Sequence, residues 1–353
     1  MSVTSARLRM RTKLLYGVSA IAISVALASA ALLAMDVYLH SHVPNVVNIW
    51  GYRGPIAGRK RPGEIRVVVL GGSTAYGYGL PWQEAFPNYL EQMLNERAGR
   101  STYRVINLGA PAQGALGFKF DLADYAYLDY DVAIFYEGYN DLGRDDLPEA
   151  VPPRTGPNNL LWRRQSPIFR FTGYFPVLPI VFREKAMLMM AGGDLDGAYR
   201  GRVVFRPNLA TRATAGAIAS AAKISESIGS AIGHVAGDPA YAAKSTPLDV
   251  ETWRHYTDRV IEAVRLARAR SVRAIVVTQP YASNSHMAQQ RALAHALDDA
   301  FRGDGGVRYV NLGLAVDIRD RSIAYDGLHL VAVGNRRIAS LLVDPVLGMT
   351  SPS

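Results

Sequence analysis

The chain has 353 residues, of which 49% are hydrophobic and 20% charged, a balance typical of a globular protein with a sizeable core and not of a disordered chain. It contains no cysteine, which excludes disulfides, thiolate metal sites and a cysteine nucleophile. The formal net charge is +9, and Arg7, Arg9, Arg11 and Lys13 all precede the first acidic residue, Asp36. The other basic residues are scattered, without a stripe interleaved with aromatics, so we expect no nucleic-acid partner.

Residues 14–35 form an uncharged, apolar run of 22 residues, long enough to cross a bilayer as a helix. The basic flank before it predicts a cytoplasmic N-terminus and an exported remainder. Ala28-Ser29-Ala30 also fits the cleavage site of a signal peptide. Because the apolar run continues past that site to Met35, we favour an uncleaved membrane anchor, and either reading places the bulk of the chain outside the cytoplasm.

After the anchor, residues 36–63 carry three prolines and several glycines and resemble a stalk. His40 and His42 lie within it, and we interpret them as solvated side chains and not as metal ligands. A domain is predicted over residues 64–347, followed by a short tail at 348–353.

Within that domain, apolar, β-branched runs alternate with helical spacing, which is typical of a parallel sheet covered on both faces. The predicted strands are 65–70, 104–108, 132–136, 272–278 and 307–312. One helix is predicted at 84–96, a second directly precedes the fourth strand, and a third covers 331–343. In such a sheet, ligands bind beyond the carboxyl ends of the strands.

Residues 145–248 interrupt the alternation and are predicted to form a large insertion between the third and fourth strands. Its aromatic part, 168–190, contains Pro176 and Pro179, which break any single long helix. It is either a subdomain packed on the core, or a lid or surface that lies in the membrane interface beside the anchor. The part at 208–236 is rich in Ala, Ser and Gly and is consistent with helix.

Polar residues follow the first strand, where Gly71 and Gly72 precede Ser73. The glycines permit a tight turn and leave the hydroxyl of Ser73 uncovered at the start of a helix, a position suited to a nucleophile. The alternative is a serine that caps the helix N-terminus.

Two further strand ends carry polar sequences. The second strand leads into INLGAPAQG and the third into YEGYND. The amide of Asn140 in the latter could stabilise an oxyanion together with backbone N–H groups. Taken alone, an asparagine beside a glycine is also common in turns.

Near the C-terminus, Asp326 lies three residues before His329, so one helical turn could bring the two side chains together. The carboxylate could then fix the imidazole tautomer while the other ring nitrogen faces Ser73. Of the seven histidines, His329 alone has an acid at this spacing.

In combination, GGSTAYGYGL, INLGAPAQG, YEGYND and DGLHLVAVGNRRIA resemble the four motif blocks of the SGNH (GDSL-like) hydrolase superfamily in order and strand context. The resemblance implies a flavodoxin-like three-layer α/β/α sandwich and a serine esterase. It implies that Ser73 is the nucleophile, His329 the general base and Asp326 its orienting acid. The oxyanion hole would use the Ser73 N–H, an N–H of the second block and the Asn140 side chain.

This sequence departs from the family pattern at two positions. Gly72 stands where the family often has Asp. Ala112 stands where the second block usually has Gly, with Gly109 and Gly114 as alternative donors. An alanine N–H can donate there provided that its φ is not forced to be positive.

The sequence lacks a Gly-x-Ser-x-Gly elbow, a phosphate-binding GxxxxGK loop and HExxH, so neither a cofactor nor a metal is expected. We expect hydrolysis of an ester outside the cytoplasm through an acyl-enzyme on Ser73, on short-acyl esters of a glycan or lipid. The alternatives are an O-acyltransferase that modifies an exopolysaccharide and a non-catalytic partner in an envelope assembly.

Overall fold

The computed structural model describes residues 3–43, 46–99, 102–142, 164, 166–178, 181 and 252–350. In this part of the chain, five strands form one parallel sheet in the order β2-β1-β3-β4-β5. The strands are β1 (Ile65–Gly71), β2 (Tyr103–Asn107), β3 (Val132–Tyr136), β4 (Arg273–Thr278) and β5 (Val307–Asn311). All five predicted strands are confirmed, with boundaries that differ by one residue at most.

Eight helices are described. They are α1 (Val3–His42), α2 (Ser73–Tyr76), α3 (Phe86–Ala98), α4 (Phe118–Asp124), α5 (Pro167–Thr172), α6 (Arg254–Ala269), α7 (Asn284–Phe301) and α8 (Ala332–Thr350). The predicted helix at 84–96 is a 3-10 turn followed by α3, and the predicted helix at 331–343 continues as α8 to residue 350.

The alternation of side chains along β1 divides the core into two layers. Val67 and Val69 face a cluster that includes residues of α3 and α8. Val68 and Leu70 face a cluster that includes residues of α4, α6 and α7. All four valine and leucine side chains are completely buried, because helices cover both faces of the sheet. This is the predicted three-layer α/β/α architecture.

Helix α1 is long and apolar enough to span a membrane, by length and composition. Its most apolar window has a mean hydropathy of 2.3, and none of that window is buried against the rest of the chain. The last turns differ, because Leu39 packs against the core. Asp36 is buried there, and its carboxylate accepts hydrogen bonds from the N–H groups of Val177 (3.0 Å) and Leu178 (2.7 Å).

The predicted stalk at 36–63 differs from a free linker. Val47 and Tyr52 are buried in the core, and the N–H of Arg53 donates to the carbonyl of Asn107 (3.0 Å). Gly51 and Gly54, with φ values of +79° and +92°, therefore mark turns of a packed stretch at 46–53. The prediction that His40 is solvated is wrong, since its side chain is 5% exposed, with Nδ1 2.8 Å from the Val47 carbonyl oxygen.

The described part of the predicted insertion packs on this segment. Phe169, Phe175 and Val177 are buried in the core, and the N–H of Phe175 donates to the carbonyl of Ile49 (2.8 Å). Residues 166–178 thus contact both the segment after α1 and, through Val177 and Leu178, the last turns of α1 itself. The remainder of 145–248, including the predicted helical stretch at 208–236, lies outside the described residues, apart from positions 164 and 181.

Candidate active site

Ser73 lies at the carboxyl end of β1, which is a central strand of the sheet. It is the first residue of α2, and the N-cap position belongs to Gly72, without a side-chain cap. The interpretation of Ser73 as a capping residue is therefore wrong. Its Oγ instead lies 2.7 Å from Nε2 of His329, which is 256 residues further along the chain.

The other ring nitrogen of His329, Nδ1, lies 2.6 Å from Oδ2 of Asp326. Oδ1 of the same carboxylate accepts the N–H groups of Leu328 (2.9 Å) and His329 (2.7 Å). Both carboxylate oxygens are thus engaged, which fixes the rotation of the Asp326 side chain. The structure brings together Ser73, His329 and Asp326 in one hydrogen-bonded chain.

A tight turn, and not the predicted helical turn, brings Asp326 and His329 together. An antiparallel bridge joins Ala324 and Leu330, and the N–H of Tyr325 donates to the carbonyl of His329 (3.1 Å). Gly327 has a φ of +84°, a conformation that glycine adopts without steric cost. Helix α8 begins only afterwards, at residue 332.

Burial alone would raise the pKa of the Asp326 carboxyl. The hydrogen bond and charge of His329, with the two backbone N–H donors, outweigh that cost and lower the pKa below its ordinary value. Asp326 is therefore ionised at neutral pH and can stabilise a positively charged imidazole.

Two tyrosines that sequence reasoning missed lie against the imidazole. The ring of Tyr325 stacks on His329 with an interplanar angle of 17°, and that of Tyr78 lies 5.4 Å away, centroid to centroid. The hydroxyl of Tyr325 donates to the carbonyl of Tyr78 (3.2 Å), which ties the two together. Tyr78 lies within the first motif block and Tyr325 directly precedes the last one, so their places in the sequence could have indicated that they lie near the site.

The candidate backbone donors of the oxyanion hole differ in availability. The N–H of Gly109 donates to Oδ1 of Asn107 (2.9 Å), which disfavours it. The N–H groups of Ser73 and Ala112 have no hydrogen-bond partner in the described part of the chain. The condition attached to Ala112 is not met, since its φ is +59°. This left-handed conformation is strained for alanine but leaves the N–H group in place.

Asn140 lies in a 3-10 turn after β3, and its side chain is buried. Its Nδ2 donates to the carbonyl of Gln113 (3.1 Å) and to Oε1 of Glu137 (3.1 Å). A Cβ on Gly72 would overlap this Nδ2, so the amide lies directly against the residue that precedes Ser73. The structure thus gathers Ser73, Asn140 and the second block at one end of the sheet.

In this arrangement, His329 can take the proton of the Ser73 hydroxyl, and Oγ of Ser73 can then attack a bound carbonyl carbon. Over the described residues, no group of three or more His, Asp or Glu side chains is arranged to hold a metal ion.

No protein-family model matches the chain, and no curated protein matches it. Forty-six chains of solved structures do. One is a lipase/acylhydrolase from Enterococcus faecalis, with 12% identity and a TM-score of 0.43, covering 82% of this chain and 98% of that one. Another is a catalytic mutant of an acetylxylan esterase from Geobacillus stearothermophilus, with 10% identity and a TM-score of 0.43, covering 83% of this chain and 98% of that one. A third is a family 3 carbohydrate esterase from Clostridium thermocellum, with 12% identity and a TM-score of 0.41, covering 82% of this chain and 100% of that one. Similarity at this distance assigns neither a family nor an activity to this chain.

Proposed function

We propose that this chain is a serine ester hydrolase of the SGNH type, with Ser73 as nucleophile, His329 as general base and Asp326 as the acid that orients it. The observation that carries the proposal is the unbroken hydrogen-bonded chain from Asp326 through His329 to Ser73. Ser73 meets His329, 256 residues further along the chain, at 2.7 Å, and His329 meets Asp326 at 2.6 Å. A structural role does not require this order of acid, imidazole and hydroxyl.

In the first half-reaction, His329 accepts the proton of the Ser73 hydroxyl through Nε2 while Oγ attacks the ester carbonyl. The charge that develops on imidazole is stabilised by the ionised Asp326. His329 then gives the proton to the leaving alcohol, and an acyl-enzyme on Ser73 remains. Water then attacks the acyl carbonyl while His329 takes one of its protons. The imidazole gives that proton to Oγ as the bond to the acyl carbon breaks, which releases the free acid and restores Ser73.

The negative charge that develops on the carbonyl oxygen needs hydrogen-bond donors within about 3 Å of that oxygen. The N–H groups of Ser73 and Ala112, which have no partner in the described part of the chain, are suited to that role. The Asn140 amide is the third donor. Its bond to the Gln113 carbonyl (3.1 Å) has a neutral acceptor, and a charged oxyanion is a stronger acceptor for the same hydrogen.

The substrate that we propose is an acetyl or other short-acyl ester of a glycan or lipid outside the cytoplasm. Support comes from residues 14–35, which would anchor the chain with its N-terminus in the cytoplasm and the domain beyond the membrane. The esterase descriptions of the structures named above agree with ester chemistry. In this proposal, the hydrolase domain is the packed unit that follows the anchor.

The test uses the full-length chain in detergent micelles with p-nitrophenyl acetate, beside its Ser73→Ala and His329→Ala variants. The matched controls are Ser340→Ala and His295→Ala, since both side chains are exposed and lie on helices away from the site. We expect activity in the parent and both controls, and its loss in both site variants. Activity that survives Ser73→Ala would contradict the proposal. A sugar acceptor added alongside distinguishes hydrolysis, which yields free acid, from acyl transfer to the sugar.

A further inference from the structure

Glu137 is a buried acid for which the mechanism above has no use. It follows β3 directly, and the residue is 2% exposed. Its Oε1 accepts three N–H groups, from the backbone of Gly138 (2.9 Å), the backbone of Asn140 (2.9 Å) and Nδ2 of Asn140 (3.1 Å). Two of the three donors thus belong to one residue, the proposed side-chain donor of the oxyanion hole.

Gly72 makes the space that this carboxylate occupies. A Cβ at position 72 would lie closer than 3.0 Å to both Oε2 of Glu137 and Nδ2 of Asn140, a separation that real Cβ atoms do not show. The φ of Gly72 is −85°, outside the left-handed region that favours glycine, so a positive φ is not the reason for a glycine here. Glycine is therefore required here for space, and the space is taken by the Glu137–Asn140 pair.

The backbone around Glu137 is held independently of its side chain. The hydroxyl of Tyr256 donates to the Glu137 carbonyl (2.8 Å), and the N–H of Tyr139 donates to Oε1 of Gln279 (3.0 Å). A buried carboxylate is a costly way to secure a strand end that already has these bonds. Its cost is consistent with a task at Asn140.

We propose that Glu137 is a positioning residue that holds the Asn140 amide beside Ser73, and that Gly72 is glycine in order to admit the Glu137 carboxylate. The inference rests on the proposed function. Asn140 donates through Nδ2, and Glu137 holds both the backbone and the amide of that residue from one oxygen. The pair keeps the amide from turning its carbonyl oxygen toward the developing oxyanion, which would repel it.

The experiment is a double-mutant cycle in the full-length chain with Glu137→Ala, Asn140→Ala and the double variant. The readouts are kcat and KM on p-nitrophenyl acetate, and the rate at which a fluorophosphonate labels Ser73. Because labelling needs the activated serine and the oxyanion hole but no particular ester, it reports on Glu137 whatever the natural substrate is. Ser73→Ala, which abolishes labelling, tests the proposed function separately.

We expect Glu137→Ala to lower kcat and the labelling rate by about 10- to 100-fold, somewhat less than the loss of an oxyanion donor, with KM within about threefold. In the Asn140→Ala background the same substitution should change kcat by less than about threefold, because its effect acts through Asn140. Glu137→Gln keeps an acceptor at Oε1 and should retain most activity. Losses that multiply in the double variant would overturn the proposal.

Gly72→Ala tests the same pair while leaving Glu137 and Asn140 themselves unsubstituted. The added methyl should displace Asn140 and lower kcat as Glu137→Ala does, again without effect in the Asn140→Ala background. Gly58→Ala is the matched control, since nothing lies within 4 Å of a Cβ at that position. Full activity in a folded Gly72→Ala variant, judged by its thermal unfolding, would contradict the claim that this space is needed.

Discussion

Replacement of Asp326 by Asn removes one charge from the site while keeping the shape of the side chain. Oδ1 of Asp326 accepts two backbone N–H groups, at 2.9 and 2.7 Å, so the amide oxygen of the variant must take that position. The NH₂ group is then forced to the position of Oδ2, 2.6 Å from Nδ1 of His329. A donor at that point requires the neutral imidazole to carry its proton on Nε2, the nitrogen that faces Ser73.

The magnitude follows from these two losses. A hydrogen bond to a charged partner contributes about 1.5–3 kcal/mol, which corresponds to about 10- to 100-fold in rate. The wrong tautomer adds to this, because Nε2 can no longer accept the serine proton. We therefore expect kcat to fall by about 10³- to 10⁴-fold, in line with the effect of the same change in serine proteases.

The assay is steady-state hydrolysis of p-nitrophenyl acetate by the full-length chain, with KM measured in parallel and thermal unfolding as a check of folding. Asp317→Asn is the matched control, because its carboxylate is exposed and pairs with Arg319 on the surface. A folded Asp326→Asn variant that keeps more than about a tenth of the parental kcat would refute the tautomer argument. Loss of the charged hydrogen bond alone already predicts a decrease in kcat of at least about tenfold.

Three further predictions concern stability. Ala112→Gly should raise the free energy of unfolding by up to about 1 kcal/mol, because glycine adopts the +59° φ without strain, and circular dichroism would reveal any opposite sign. Burial and the charge of Asp141 raise the pKa of Glu137 to about 7 from 4.5, so its folded form holds a proton more tightly than the unfolded chain. The stability that this proton contributes is present below pH 4.5 and lost as pH rises through 7. Between these two pH values, the free energy of unfolding of Glu137→Gln should therefore rise by about 3 kcal/mol relative to that of the parent. The same pH dependence of the unfolding free energy in the two proteins would contradict this prediction. Asp36→Ala leaves the N–H groups of Val177 and Leu178 without their acceptor and should speed proteolytic cleavage near them while kcat is unchanged, whereas equal cleavage rates would argue against the contact.

The sheet could be predicted from the sequence because its strands are short, continuous apolar runs. A strand that is buried on both faces must be apolar at nearly every position, so such runs identify it. Ser73 and Asn140 could be singled out because polar residues are out of place at the ends of such strands, whereas Asp326 and His329 were singled out by their spacing of three residues. The same reasoning could not decide how Asp326 reaches His329. A spacing of three fits one turn of helix, and the bridge between Ala324 and Leu330 that actually closes the turn depends on tertiary packing.

The errors before the first strand have a related cause. Prolines and glycines in 36–63 indicate turns, but they do not reveal whether the turns are packed. Tyr52 packs edge-on against Tyr125, and His40 against Tyr174, and no local pattern records such contacts with distant segments. Glu137 is a further case, because its significance depends on the absence of a Cβ at Gly72, 65 positions away in the chain.

The buried Asp36 has a consequence for how far the domain can reach from the membrane. A domain on a flexible tether samples a volume that grows with the length of the linker, and its effective concentration for membrane-bound substrates falls accordingly. Here α1 runs without a break to His42, and its last turns are bonded to the domain at Val177 and Leu178, so the linker has almost no length. With residues 14–35 in the bilayer, Ser73 would lie at one height above the membrane, and under the proposed function the ester would have to be presented at that height.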